Sequence, residues 1–266
     1  MPGGYVAPDG PEGAGPGRRT TGSGPVERHL AAVRAARTDP DRVVLEGAHA
    51  LKHALRFGAD VDVVLSPDPA ALGRLLATLA PDIAPRAAEL TVGIPAHRWE
   101  HFAPRPLPSP ALALARRPPA AAPARVLASP GVVVVLEQPR HLGNLGAVIR
   151  VAAAAGAGGV LVVGEADPWH PVVVRGAAGL QYALPVGRTE QLPATTRPLV
   201  ALDAGGTPLT EVTLPTDAVL LVGTERGGLS RTLQARATAS LAIPMRPGVS
   251  SLNLATAVAV ALYHGR

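Results

Sequence analysis

The chain reads as an α/β protein built in two parts, and three observations carry that reading. Short valine- and leucine-rich runs alternate with helix-periodic stretches along most of the sequence, the pattern of layered α/β folds. The proline-rich stretch Arg117–Pro123 divides this alternation into two series, as a linker would. The run Val132–Leu136, four valines and a leucine, is apolar on both faces, as parallel strands covered by helices on both sides are. A chain of 266 residues with 47% hydrophobic and 17% charged residues has length for two domains and apolar material for a sizeable core.

Residues 1–25 are roughly half glycine and proline and are expected as a disordered tail. The first series, residues 26–116, predicts helices over Val26–Arg37, Ala48–Phe57 (stopped by Gly58), Ala70–Leu79 and His97–Phe102. Its strands are predicted over Arg42–Leu45, Val61–Leu65, Leu90–Ile94 and Ala111–Ala115. Residues 117–130 are expected as the linker. The second series, residues 131–266, predicts strands at Val132–Leu136, Val160–Val163, Ala183–Val186, Leu199–Leu202, Val219–Val222 and Leu241–Ile243. Its helices are Leu145–Ala155, Pro171–Ala178 with proline in the first turn, Leu229–Ala237 and a terminal helix Leu252–Tyr263. Such a series forms a parallel sheet with crossover helices.

Composition removes several classes of function. Aromatics are only 3%, too few for an extended base-stacking platform. There is no cysteine, hence no disulfide framework and no thiolate metal site. His97 and His101 are four apart on a predicted helix, but no third ligand lies near them and no H-E-x-x-H occurs, so no metal is expected. No apolar run reaches the length of a membrane span and the N-terminus lacks an apolar signal core, so the expected location is the cytoplasm. Net charge is +5, and Lys52 is the only lysine; a basic surface built almost wholly of arginine suits phosphate and mildly favours a nucleic-acid partner. No G-x-G-x-x-G follows the first strand of the second series, and Gly156, Gly158 and Gly159 follow a helix, which argues for a helix stop and against a dinucleotide fold.

Functional groups of a parallel α/β sheet gather at the carboxyl ends of its strands. After the first strand, Asn144 stands where a helix cap is expected, and Arg150 is the only charge in the helix that follows; it either snorkels to solvent or faces a polyanion. After Val219–Val222 come Gly223, Glu225 and the turn Gly227-Gly228, where a ligand could approach the backbone. Before the terminal helix come Ser250, Ser251 and Asn253. A serine cap explains one of these, whereas an asparagine buried at the first turn of an apolar helix requires further hydrogen-bond partners.

Three strings, N-L-G-A-V-I-R at 144–150, L-V-G-T-E-R-G-G-L-S at 221–230 and I-P-M-R-P-G-V-S-S-L-N-L-A at 243–255, occur in order, each after a strand. Together they resemble the three motifs of the SpoU (TrmH-type) branch of the SPOUT RNA methyltransferases, over roughly Val132 to Tyr263. The preceding part, with V-L-E-G-A-H-A-L-K-H-A-L at 44–55, resembles more loosely that family's L30e/L7Ae-like substrate-binding domain. The nearest likeness is to two-domain ribosomal RNA enzymes, thiopeptide-resistance methyltransferases among them. Many relatives have serine where this chain has Ala177 and Ala178, and Val-Ser where it has Leu254-Ala255; both departures are mild.

The resemblance implies an RNA 2′-O-ribose methyltransferase that uses S-adenosylmethionine and folds its C-terminal part into a trefoil knot. It places the cofactor against Leu202, Gly223, Ile243, Met245 and Leu252. It assigns catalysis and substrate placement to Asn144, Arg150, Glu225, Ser251 and Asn253, and an RNA phosphate contact to Arg175 in V-V-V-R-G-A-A-G. It also implies a homodimer sealed through the terminal helix. Ribosomal RNA is the expected substrate; transfer RNA, and a catalytically silent RNA-binding protein of the same fold, are the alternatives.

Overall fold

The computed structural model describes residues 24–103, 106–107, 109–224 and 227–264. The expected tail, residues 1–23 with Arg18 and Arg19, lies outside these, and so does Glu225.

The chain begins with α1 (Pro25–Ala36), β1 (Arg42–Glu46), α2 (Ala48–Arg56), β2 (Val61–Ser66), α3 (Pro69–Leu79), α4 (Ala84–Leu90) and β3 (Thr91–Gly93). A 3-10 turn at Ala96–Arg98, α5 (Trp99–Phe102) and β4 (Leu112–Arg116) complete the first series. Its sheet has the order β1-β4-β2-β3, with β4 antiparallel to both its neighbours and β2 parallel to β3. Helix α4 departs from the sequence reading, which had a strand over Leu90–Ile94. Proline in its first turn starts a helix that carries Leu90 with it, and only Thr91–Gly93 remains to pair with β2.

The expected linker is structured. Pro123 opens α6 (Pro123–Leu127), which buries Val126 and Leu127, and Arg117 forms a two-pronged ion pair with Asp167 at 2.8 and 3.0 Å. The second series continues with β5 (Val133–Glu137), α7 (Leu142–Ala154), β6 (Gly159–Val163), α8 (Pro171–Ala177), a 3-10 turn at Leu180–Tyr182 and β7 (Val186–Thr189). It ends with β8 (Leu199–Pro208), β9 (Val219–Val222), α9 (Arg231–Arg236), β10 (Ala239–Ala242) and α10 (Leu254–Tyr263). The strand expected at Ala183–Val186 starts only at Val186, because the 3-10 turn and Pro185 occupy the residues before it.

The second sheet has the order β10-β8-β9-β5-β6-β7, every neighbour parallel, as the alternation predicts. Helices α7, α8 and α10 bury Leu145, Val148, Ile149, Val173, Ala177, Val258 and Ala261 on one face, while α6 and α9 cover the other with Val126, Leu127 and Leu233. Strand order reverses beside β5, which pairs with β6 on one side and β9 on the other, so a crevice opens past the carboxyl ends of these strands.

The two sheets share a core. Trp169 and Val174 of the second series are buried among Val43, Leu45, Ala50, Leu51 and Ala54 of the first. The His53 ring donates from Nδ1 to the Ala178 carbonyl at 2.8 Å, and the Tyr182 hydroxyl donates to the Arg116 carbonyl at 2.8 Å. At Gly179 the backbone is left-handed (φ +75), and a Cβ there would lie 2.7 Å from the Ala50 carbonyl oxygen, so the closest approach of the two halves requires glycine. No helix of the described residues is long and apolar enough to cross a membrane.

Candidate active site

The three strand-end segments converge on one cavity of about 170 Å³. Strand β8 builds its first wall by leaving the sheet. Val200 and Ala201 pair with Ala239 and Ser240, but the next partners of β10 are Thr207 and Pro208, so residues 202–206 loop out of the ladder. Leu202, Asp203 and Ala204 in that loop line the cavity. The chain returns at Gly206, whose Cβ would lie 2.6 Å from Leu241 N; glycine is what lets it rejoin β10.

Strand β9 supplies the second wall with Val222, Gly223 and Thr224. Thr224 and Gly228 exchange backbone hydrogen bonds of 3.0 and 3.1 Å, folding the turn back on the strand end. A Cβ on Gly223 would lie 2.0 Å from the Gly228 carbonyl carbon. The sequence reading gave this glycine to ligand approach; its first requirement is that the chain pack on itself. The turn is also tied to β5, since Ser230 N–H donates to Glu137 Oε2 at 2.7 Å.

The third wall is the segment before α10, with Ile243, Met245, Ser250, Ser251 and Leu252, together with Leu254 and Ala257 from the start of that helix. Here the cap expected from a serine is made by Asn253. Its Oδ1 accepts from Ala255 N–H at 3.0 Å and Thr256 N–H at 3.4 Å, while its Nδ2 donates to Asn144 Oδ1 at 3.1 Å. One amide therefore caps α10 and fastens it to α7, which a serine or an aspartate at this position would not do with the same atoms. Asn253 is exposed rather than buried, and Asn144 lies inside the first turn of α7, not at its cap.

Leu202, Gly223, Ile243, Met245, Leu252 and Ser251 thus line a single cavity, with the Asn144–Asn253 pair beside it. Asp203, Ala204 and Thr224 also line it and were not singled out from the sequence, while Ser250, noted there as a cap candidate, lines it too; for Asp203 the available signal was its place one residue past the apolar run Leu199–Leu202. Its Oδ1 accepts from Gly205 N–H at 2.8 Å, and its Oδ2 accepts from the Gln234 side chain at 3.4 Å.

Arg150 and Arg175 belong to a second cleft, of about 350 Å³, which they share with Glu46, Gly47, His49, Ser109 and Ala178. What brings them together is a helix crossing. A Cβ on Gly146 would lie 2.5 Å from the Val173 carbonyl oxygen and 2.9 Å from Gly176 Cα, so α7 and α8 touch backbone to backbone. Arg150 lies one turn beyond Gly146, and Arg175 directly precedes Gly176. Arg150 is exposed and makes no hydrogen bond or ion pair among the described residues; Arg175 makes one ion pair, to Glu46 at 4.0 Å. The neighbouring His53 has its pKa lowered from 6.5, first by burial. The hydrogen bond to the Ala178 carbonyl opposes this, and the charges of Lys52, His49 and Arg150 add to it. No group of three or more His, Asp or Glu side chains that could hold a metal occurs among the described residues.

An all-parallel sheet with a loop-lined cavity at its strand ends, together with a second cleft that holds two arginines, defines an α/β protein with a candidate strand-end ligand site. Residues 131–263 match the SpoU rRNA Methylase family, and the chain belongs to that family. It is 34% identical over 146 residues to the 23S rRNA (uridine(2479)-2'-O)-methyltransferase of Streptomyces viridochromogenes, covering 49% of this chain and 50% of that protein. It is 31% identical over 153 residues to the 23S rRNA (guanosine(2553)-2'-O)-methyltransferase RlmP of Bacillus subtilis, covering 54% and 61%. The chain thus spans between half and about three-fifths of the length of these two curated relatives. The likeness to solved structures runs through both sheets. The SpoU methyltransferase AviRb of Streptomyces viridochromogenes, solved with AdoMet, matches with a TM-score of 0.70 at 22% identity over 89% of this chain and 96% of that one. A crystal structure of an RNA 2'-O ribose methyltransferase matches with a TM-score of 0.70 at 25% identity, over 92% and 96%.

Proposed function

We propose that the chain is an S-adenosylmethionine-dependent RNA 2′-O-ribose methyltransferase acting on ribosomal RNA. The observation that carries this is the convergence of Leu202, Gly223, Ile243, Met245, Leu252 and Ser251, drawn from three loops, on one cavity. Family membership and the names of the relatives point the same way.

The lining fits this cofactor. Apolar side chains from all three loops make walls for an adenosyl group. The described lining residues include no cation and one carboxylate, Asp203, which complements a cationic sulfonium. When bound, S-adenosylmethionine supplies a methyl group on positively charged sulfur to an in-line displacement. The chain's own residues position the acceptor. Arg150 and Arg175 hold a backbone phosphate beside the target ribose, and Arg150 orients the 2′-hydroxyl. A guanidinium is already protonated at neutral pH and has no free lone pair to accept a proton, so the work of Arg150 is orientation and charge, not general base catalysis. Asn253 and Asn144 lock α10 to α7 and so fix the cofactor loop against the helix that carries Arg150. Ser251 lines the pocket, and the family pattern gives Glu225 and Ser251 a share in substrate placement.

In this reading residues 26–116 form the L30e-like RNA-binding domain and 131–266 the SPOUT methyltransferase domain, its last segments tied in the trefoil knot. The protein acts in the cytoplasm as a homodimer. Val260 and Tyr263, three residues apart on the terminal helix, are 38% and 49% exposed, an apolar face suited to a two-fold seam.

The test is transfer of tritiated methyl to unmodified 23S rRNA and to tRNA transcripts, with the product ribose mapped by primer-extension stops at low dNTP. Arg150→Ala is expected to lower single-turnover transfer by about 100-fold or more while cofactor affinity stays within about twofold. Near-full transfer by this variant would remove Arg150 from the mechanism, and absence of transfer by the wild type to any RNA would defeat the proposed function.

A further inference from the structure

Glu46 closes β1 on the N-terminal sheet, far in sequence from every motif of the methyltransferase part, yet its carboxylate reaches the cleft of Arg150 and Arg175. Its side chain is only 10% exposed. A carboxylate that deep is costly unless it is paired, and two arginines are among its partners. On one side, Oε1 accepts from Arg37 Nη1 at 3.4 Å. Arg37 is anchored independently, through Nη2 to the Phe102 carbonyl at 3.2 Å. On the other side, Oε2 lies 4.0 Å from Arg175 Nη1, across the seam between the two sheets.

The two pairs differ in kind. The Arg37 pair lies within the N-terminal half and offsets part of the cost of burying the carboxylate. The Arg175 pair is longer and leads to a guanidinium whose side chain is 41% exposed and which has no other ion pair or hydrogen bond among the described residues. Most of the five N–H donors of Arg175 therefore remain for a ligand. The cleft they face is within the range of about 300–1,000 Å³ that small ligands occupy. It combines an unpaired guanidinium, Arg150, with the tethered one, the exposed imidazole of His49 and the Ser109 side chain, a set that matches a phosphodiester and its nucleoside.

We infer that Glu46 is a positioning residue of the RNA site: it holds Arg175 at the angle at which it and Arg150 bracket one backbone phosphate, which makes the N-terminal sheet a structural part of the catalytic site. This rests on the RNA methyl transfer proposed above. It carries a signature that a merely structural role lacks. Removing the Glu46 charge makes the cleft more cationic, so RNA binding holds or tightens, while the loss of a fixed Arg175 slows the chemical step.

The experiment compares wild type, Glu46→Gln, Arg175→Lys and Arg37→Ala. It measures filter binding to unmodified 23S rRNA over a salt series, calorimetric affinity for S-adenosylmethionine, and single-turnover transfer at saturating RNA. Glu46→Gln is expected to bind RNA at least as tightly as wild type and to keep its cofactor affinity, with transfer about tenfold slower. Arg175→Lys keeps the charge, and its side chain is exposed enough for the fold to tolerate the change; it is expected to keep RNA affinity and show the same slowing, so it serves if the Gln variant does not fold. Arg37→Ala is expected to lower the melting temperature without that split. Transfer by Glu46→Gln at the wild-type rate overturns the inference, and so does a parallel fall in RNA binding, transfer and melting temperature matching Arg37→Ala. Wild-type protein that transfers no methyl group to RNA defeats the proposed function itself, a result distinct from either.

Discussion

Replacing Asn253 separates the two tasks of its amide. Asn253→Ser keeps a capping oxygen for α10 and removes the 3.1 Å bond to Asn144; Asn253→Ala removes both. A lost N-cap costs about 1 kcal/mol. A lost side-chain hydrogen bond at a partly exposed site costs roughly 0.5–1.5 kcal/mol. The serine variant should therefore lose about 1 kcal/mol and the alanine variant about 2 kcal/mol. For a chain of this length each kcal/mol lowers the thermal midpoint by roughly 2–4 °C, so the shifts are about 2–4 and 4–8 °C. Asn144→Ala removes the same bond and leaves the cap, so it should lose at least as much as the serine variant. Thermal melts and urea midpoints measure the stabilities. Calorimetry measures the functional cost, a loss of cofactor affinity of no more than about fivefold for Asn253→Ser, since about 1 kcal/mol is available to be lost. Equal stability losses for Asn253→Ser and Asn253→Ala would refute the cap, and an unperturbed Asn144→Ala would refute the inter-helix tie.

Three further outcomes follow from the seam and the terminal helix. His53 has its pKa lowered in the fold, so its neutral form is the one folding favours; its contribution is complete above about pH 6.5 and is lost as pH falls through that value toward the folded pKa. Urea midpoints measured from pH 8 to 5 should decline below about 6.5 in wild type and decline less in His53→Gln; parallel curves would remove His53 as the cause. Gly179→Val combines a left-handed backbone with a Cβ driven 2.7 Å from the Ala50 carbonyl oxygen, and should cost about 2–5 kcal/mol from strain and overpacking together; a melt within about 1 kcal/mol of wild type would mean that the halves do not meet there. Val260→Arg puts a charge on the exposed apolar face of α10 and should convert the proposed dimer to a monomer by light scattering without lowering the melt of the monomer core; an unchanged dimer would place the interface elsewhere.

Periodicity made most elements legible. Valine and leucine runs marked the strands of the parallel sheet, because a strand covered on both faces has no other composition available. The motif strings marked five residues that meet in one cavity, because strand ends in a parallel sheet all deliver their loops to the same edge. Local chemistry misled where several residues competed for one job. Ser250, Ser251 and Asn253 are all capable caps, and nothing within the segment says that the one with a partner on another helix prevails. That partner is 109 residues away. Likewise Pro85 and Pro123 each begin a short helix that turn composition disguises as strand lead-in or linker.

What sequence could not show is the geometry created by glycines that meet across the fold. Gly146 and Gly176 look like weak points in two apolar helices, at a cost of about 1 kcal/mol each relative to alanine. Their value appears only when α7 and α8 are laid together, backbone on backbone, with Arg150 and Arg175 carried to one cleft by that contact. Gly179 then sets the N-terminal sheet against the same pair of helices and delivers Glu46 to the cleft from the far side. A larger residue at any of these three positions would leave every motif residue in place in the sequence and yet separate the charges that the motifs supply. The arginines bring the charge, and the glycines determine that the charges face one cleft.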